Sequence, residues 1–177
     1  MIIFFKLLYL YKIFYNSIMP KRKQTARKKP ARKKKQTLKS MEQKQIPKVI
    51  LKTRIRVRNP RLKNPYKWKS VNSRDMFKNK KIVVLSLPGA FTPTCSSTHL
   101  PDYEKKYSQL KKKGVDDVYC MSVNDPFVMK NWGAKLKIKN VKLVPDGNGD
   151  FTKKMKALVP KKNLGFGDRS WRYSMFV

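Results

Sequence analysis

The chain is 177 residues long, enough for one domain with a proper core plus tails. Lys and Arg number 44 against 10 Asp and Glu, a formal charge of +34. That excludes a neutral, self-contained surface and predicts attraction to polyanions, whether nucleic acid or an anionic membrane face. Two Cys and one His are too few for a four-ligand structural zinc site or a disulfide framework, so a reduced, intracellular compartment is expected. Catalysis, if any, must centre on Cys, Asp, Ser or Arg.

Charge divides the chain. Residues 1–45 hold 14 Lys/Arg and one acid, Glu42. Residues 46–177 hold 30 against nine, an excess of 21, so the basicity is not confined to the tail. Segment 1–18 is apolar and aromatic, but Lys6 and Lys12 interrupt it, and a membrane-spanning helix needs about 20 apolar residues. Three readings stand for it: a gene-model extension ahead of Met19, an organelle presequence, or an interfacial helix. Ten Lys/Arg crowd into 21–35 with no acid. Such a block repels itself and has little to bury, which predicts a disordered basic arm that could hold nucleic acid or another anionic surface nonspecifically. The expected location is cytoplasmic, with a mitochondrial alternative if 1–45 is a presequence and a nuclear one if the arm is a localisation signal.

From Ile46 the pattern changes to that of a folded domain spanning 46–177. Residues 46–58 alternate as an exposed strand or strand pair. Residues 59–68 carry two Pro and read as loop, and 70–77 as a short helix capped by Ser70 or Ser73. The β-branched run at 80–87 predicts a buried strand. A loop at 88–94 precedes a helical stretch, 95–114, that Pro101 should kink and Gly114 should stop. Next come a buried strand at 115–124 and a helix at 125–138 with Asp125 as cap and Pro126 at its first position. Beyond lie a strand at 141–146, a helix at 151–158, a Gly-rich loop and a last strand at 171–177. Strands alternating with helices predict an α/β fold around a central sheet.

The chemistry concentrates in the strand, loop and helix of 82–113, with Cys95 opening the helix. Cysteine reacts as thiolate, and a free thiol near pKa 8.5 is only a few per cent ionised at neutral pH. A nearly complete thiolate needs about 3–4 kcal/mol of stabilisation. A helix N-terminus contributes about 0.3–1 kcal/mol, up to ~2 when partly buried. A fixed cation is therefore required as well, and Arg is the side chain that cannot lose its proton.

PGAFTPTCSSTHLP at 88–101 resembles the active-site signature of peroxiredoxins, specifically the peroxiredoxin-5-like branch of the AhpC/TSA-type redoxins. The likeness runs on through VYCMSVNDPFVMKNW, KLVPDGNGDFTKKM and NLGFGDRSWRYSM. It implies a thioredoxin-like fold, a central mixed sheet flanked by helices, and reduction of hydrogen peroxide or alkyl hydroperoxides. It implies that Cys95 is the peroxidatic nucleophile, that Thr92 hydrogen-bonds peroxide and thiolate, that Pro88 shields the pocket, and that Arg172 holds the thiolate. It implies no metal or bound cofactor, a homodimer, and an external thiol reductant: glutathione, glutaredoxin or thioredoxin. Relatives continue about 30 residues past the strand of Arg172, so the domain reads as apparently truncated at its C-terminal end. A competing reading is a polyanion-binding protein on a catalytically weakened peroxiredoxin-like scaffold.

Other features read as structural. Cys120 falls mid-strand as a core thiol. His99, four residues after Cys95, reads as a packing or capping residue. DGNGD at 146–150 mimics the start of a calcium loop but lacks its Gly at position six and Glu at twelve, so it reads as a strand-to-helix turn. Trp132 and Trp171 read as core or interface, and Asp168 as a partner for Arg169.

Overall fold

The structure is a computed structural model that describes residues 45–58, 61 and 63–177. The expectations for the apolar start and the basic arm lie outside the described residues. Among the described residues no helix is long and apolar enough to cross a membrane.

The centre is a mixed sheet of β3 (Ile82–Leu87), β4 (Asp117–Ser122), β5 (Lys142–Pro145) and β8 (Tyr173–Phe176), in the order β5-β4-β3-β8. β3, β4 and β5 run parallel, and β8 lies antiparallel to β3. Every residue of β3 and β4 is buried, as a strand covered on both faces requires. Alternation then sends neighbours to opposite sides. Ile82 and Val84 join Phe77, Tyr119, Met121, Phe151 and Met175 on one face. Val83, Leu85 and Leu87 join Cys95, Leu100, Cys120, Met129 and Trp132 on the other. This is the α/β, thioredoxin-like arrangement expected from the sequence.

Two expectations before β3 need correction. The chain at 66–72, read partly as loop and partly as helix, is strand β2 (Tyr66–Asn72), paired antiparallel with β1 (Ile50–Arg56). Lysines at 67 and 69 and a preceding proline hide its alternation, because this hairpin is mostly exposed. The helix α1 (Ser73–Phe77) is capped by Asn72, whose side chain accepts the Arg74 N–H at 3.0 Å. Ser73 is buried instead. Its hydroxyl accepts the Val49 N–H at 3.0 Å and donates to the Pro47 carbonyl, fastening the entry of the chain to α1.

Pro101 acts differently from a simple kink. Residues 95–99 form a π turn, in which the Leu100 N–H donates to the Cys95 carbonyl, and α2 (Leu100–Lys105) follows. Proline has no N–H for the carbonyl four residues back, and its ring crowds that carbonyl, so a widened turn ahead of it relieves both problems. The break comes at Lys106, before α3 (Tyr107–Lys112). The helix α4 (Pro126–Lys135) has its expected cap, Asp125 accepting from Phe127 and Val128 at 2.8 and 3.0 Å. The turn at 146–150 is a capping device. Asp146 accepts the N–H groups of Phe151 and Thr152 at 3.1 and 2.8 Å, at the start of α5 (Asp150–Lys154). The Gly-rich loop contains a small hairpin, β6 (Leu158–Pro160) with β7 (Asp168–Ser170).

Candidate active site

The buried strand β3 leads directly into Pro88 and the loop that carries the candidate residues. Two bonds shape that loop. The Thr92 hydroxyl donates to the Gly89 carbonyl at 2.8 Å, and Asn124 Oδ1 accepts the Ala90 N–H at 2.9 Å. Asn124 is itself held by the Ser122 hydroxyl at 2.8 Å, so the end of β4 fixes the loop after β3. Gly89 is buried in this crossing, where an added Cβ would lie 3.3 Å from Thr92 Cγ2. Phe91 takes φ of 61°, a left-handed conformation that costs an L-residue about 1–2 kcal/mol and that the two anchoring bonds sustain.

The loop closes into a helix at once. The Ser96 N–H donates to the Thr92 carbonyl at 3.0 Å, which places Cys95 in the first turn. The N–H groups of Thr94 and Cys95 precede that first bond and carry the positive end of the helix dipole. Cys95 is 1% exposed. Its thiol meets a cation: Arg172 Nη2 lies 3.9 Å from Cys95 Sγ, across 77 residues of sequence.

Strand pairing brings the two together. Ser86 pairs with Tyr173, so the residue before β8 arrives beside the end of β3. The Ser86 and Ser170 hydroxyls bond at 2.7 Å, tying the approach to Cys95 to the approach to Arg172. The Tyr103 hydroxyl bonds Ser174 Oγ at 2.7 Å, tying α2 to β8 beyond Arg172. Trp132 Nε1 donates to Ser96 Oγ at 2.9 Å, holding the residue after the thiol from α4. Ser86, Ser170, Asn124 and Trp132 escaped the sequence reading as site-building residues. Their partners are 34 to 84 positions away, and a lone serine or asparagine gives no signal of that.

A thiol at a helix start, facing an arginine from a distant strand end, invites comparison with known proteins. The family model described as Redoxin matches residues 44–177. A peroxiredoxin of Synechocystis sp. is 55% identical over 137 residues, covering 77% of this chain and 72% of that protein. The chain belongs to the peroxiredoxin family. The crystal structure of a Plasmodium falciparum antioxidant protein, described as a 1-Cys peroxiredoxin, is similar at TM-score 0.68 and 40% identity, covering 75% of this chain and 76% of that one. Reduced Prx3 from Vibrio vulnificus in complex with H2O2 is similar at TM-score 0.65 and 36% identity, covering 75% and 77%. Peroxiredoxins are thiol-dependent peroxidases, and that is the activity class of this chain.

Around this peroxiredoxin's thiol, two more titratable groups matter. Cys120 sits on β4, 0% exposed, in the same apolar cluster as Cys95. Burial pushes its thiol up, and negative charge at Cys95 pushes it further. His99 is half-buried, and its Nδ1 is buried without a hydrogen-bond partner. Burial and then the Arg172 guanidinium hold it below the ordinary histidine range, opposed by Asp102. Arg169 turns to the carbonyl of Val123 rather than to Asp168. Trp132 is fully buried, while Trp171 is exposed with Lys161 Nζ 5.0 Å from its ring. Among the described residues no group of three His, Cys, Asp or Glu is placed to hold a metal ion.

Proposed function

We propose that this peroxiredoxin reduces hydrogen peroxide and alkyl hydroperoxides through Cys95, in one-Cys fashion, as a cytoplasmic homodimer served by glutathione, glutaredoxin or thioredoxin. The observation that supports it most is the 3.9 Å contact between Arg172 Nη2 and Cys95 Sγ at the start of a helix. That arrangement supplies the fixed cation that a buried nucleophilic thiolate needs. The H2O2 complex of the similar Vibrio vulnificus protein and the 1-Cys description of the Plasmodium falciparum one agree with it.

The Cys95 thiolate attacks the hydroxyl oxygen of ROOH. The S–O bond forms as the O–O bond breaks, and the departing alkoxide or hydroxide takes a proton and leaves as alcohol or water. Cys95 is oxidised to the sulfenic acid and the peroxide is reduced. Arg172 stabilises the charge as it moves from sulfur to the leaving oxygen, together with the free N–H groups of the first turn. Thr92 gives its proton to Gly89, so its oxygen serves as acceptor for the peroxide O–H, fixing which oxygen meets the sulfur. Pro88 offers no N–H and shields the loop side of the pocket. An external thiol then condenses with the sulfenic acid, releasing water and leaving a mixed disulfide, and a second thiol displaces the Cys95 thiolate. Cys120, buried mid-strand, is not the resolving thiol in this scheme. The test is peroxide consumption with each reductant. Activity that needs no added thiol, or that survives Cys95→Ser, would overturn the proposal.

A further inference from the structure

Away from Cys95, the hairpin β1–β2 and the first turns of α4 enclose a hollow of about 150 Å³. Pockets for whole small-molecule ligands run to about 300–1,000 Å³, so this one suits a single flat ring. Its floor is apolar, with Met129 and Leu143. Its rim carries Arg54, Tyr66, Phe127 and Lys130. Arg54 is caged by rings: its guanidinium carbon lies 4.6 Å from the Phe127 centroid, 5.1 Å from Tyr66 and 5.8 Å from Trp68. Its Nε is buried with no hydrogen-bond partner. Lys130 sits 3.8 Å from the Tyr66 ring and donates to its hydroxyl at 2.7 Å.

Two of these aromatics face water. Trp68 is 60% exposed and Phe127 48%, and they meet edge to face at 5.8 Å. A single exposed ring is ordinary, but two beside a cation cluster are not. Residues 45–72 contain nine Lys/Arg and no Asp or Glu. The register puts Lys52, Arg54 and Arg56 on one hairpin face with Tyr66 and Trp68. The carboxylate of Asp125 nearby is taken by the N–H groups of Phe127 and Val128. The cations here are therefore compensated by ring faces rather than by carboxylates, and their field reaches solvent.

That charge rules the choice of occupant. A second copy of the chain would bring the same cations against these. An acidic peptide answers the charge, but its Asp and Glu side chains carry no ring, whereas every nucleotide sets a flat ring beside a phosphate. A membrane surface engages protruding rings and has no use for a recess. We propose that this face binds single-stranded nucleic acid, one base entering the hollow against Phe127 and the next stacking on the exposed Trp68, while neighbouring phosphates lie on Lys52, Arg56 and Lys130. Positive side chains along the backbone with aromatic platforms for the bases are the combination such binding uses.

The test is anisotropy of a fluorescein-labelled oligo-dT 15-mer with the full chain over a series of salt concentrations. The basic arm contributes a background to every binding curve, so the informative variants leave charge unchanged. Trp68→Ala and Phe127→Ala should each weaken binding about tenfold, the loss of one stacked base, with the salt slope unaltered. Trp68→Phe should keep most of the affinity. Binding to a 15-base-pair duplex, whose bases are already stacked, should not change. Peroxide consumption per folded molecule should match the parent, since neither residue touches Cys95 or Arg172, and melting temperature should fall only slightly, through the loss of one ring beside Arg54. Unchanged single-strand affinity in both alanine variants would overturn the proposal. So would an equal loss on duplex, which would make the effect one of charge geometry, or a loss seen only with phosphatidylserine vesicles, which would make the face a membrane contact.

Discussion

Cys95 and Cys120 share one apolar cluster and nearly identical burial, 1% and 0%, yet they stand in opposite chemical situations. Cys120 lies on β4, where backbone groups are consumed by the ladders to β3 and β5. Nothing there favours a negative charge, and burial pushes its thiol up. Cys95 lies in the first turn of a helix, with Arg172 against its sulfur. Burial alone therefore does not decide whether a cysteine is inert. The decisive difference is whether the surrounding chain presents donors and a fixed cation at the sulfur, and Cys95 is where three separate segments have been tied together to do so.

The largest expected effect separates the two thiols directly. Cys95→Ser should abolish peroxide reduction, because a serine hydroxyl does not ionise to a comparable nucleophile. Cys120→Ser should change the initial rate of peroxide attack by less than about threefold, while costing about 1–3 kcal/mol of stability for a buried hydroxyl without a partner. Single-turnover peroxide consumption and denaturant unfolding check both halves. Next comes the cation. Arg172→Ala should slow attack by about 10²–10³-fold, the usual loss on deleting one charge-stabilising donor at a reacting centre. Arg172→Lys should recover only part of it, since a point charge on a flexible stem cannot reach sulfur and peroxide together. Equal rates in the arginine and alanine proteins would remove the basis of the comparison.

A smaller effect is expected where the segments are tied. Ser170→Ala strands the Ser86 hydroxyl in the core, which should cost about 1–3 kcal/mol of stability. Removing both hydroxyls should restore part of that stability but not the rate, because the tie between the Cys95 and Arg172 approaches stays broken. A double-mutant cycle in denaturant, read alongside the rate, measures this. The smallest effect belongs to His99. Its folded value is depressed, so the unfolded chain binds the proton more readily. Stability should therefore be full above the ordinary histidine value of about 6.5 and decline as pH falls through and below it. His99→Asn should flatten that part of the stability profile, and an unchanged slope would show that another group causes the decline.

Much of this was legible in the sequence, for reasons that differ by element. The strands β3 and β4 are buried on both faces, so their apolar runs announced them. Asp125 followed by Pro126 announced α4 through its cap. Cys95 stood out by opening a helix after a buried strand and loop, whereas Thr92, Pro88 and Arg172 stood out through their resemblance to a known signature. Strand β2 was hidden because both faces of the hairpin carry lysine or arginine, which leaves no period-two apolar signal. For the same reason Trp68, in the middle of β2, drew no notice until the structure set it beside Arg54 and Phe127. The π turn was hidden because a one-residue widening barely disturbs side-chain periodicity, although Pro101 marked its cause. The ties through Ser86, Ser170, Asn124 and Trp132 exist only once the sheet is folded. Hydroxyls and amides are silent in one dimension.

The central claim is that surroundings, not burial, single out one of two buried thiols. It is tested most directly by treating the reduced full-length protein with one equivalent of H2O2 in the presence of dimedone and locating the sulfenic-acid adduct by peptide mass spectrometry. The account predicts labelling of Cys95 with none at Cys120, and a labelling rate that falls by the same factor as peroxide consumption in Arg172→Ala. Adduct at Cys120 at a comparable rate, or Cys95 labelling indifferent to Arg172, would contradict it.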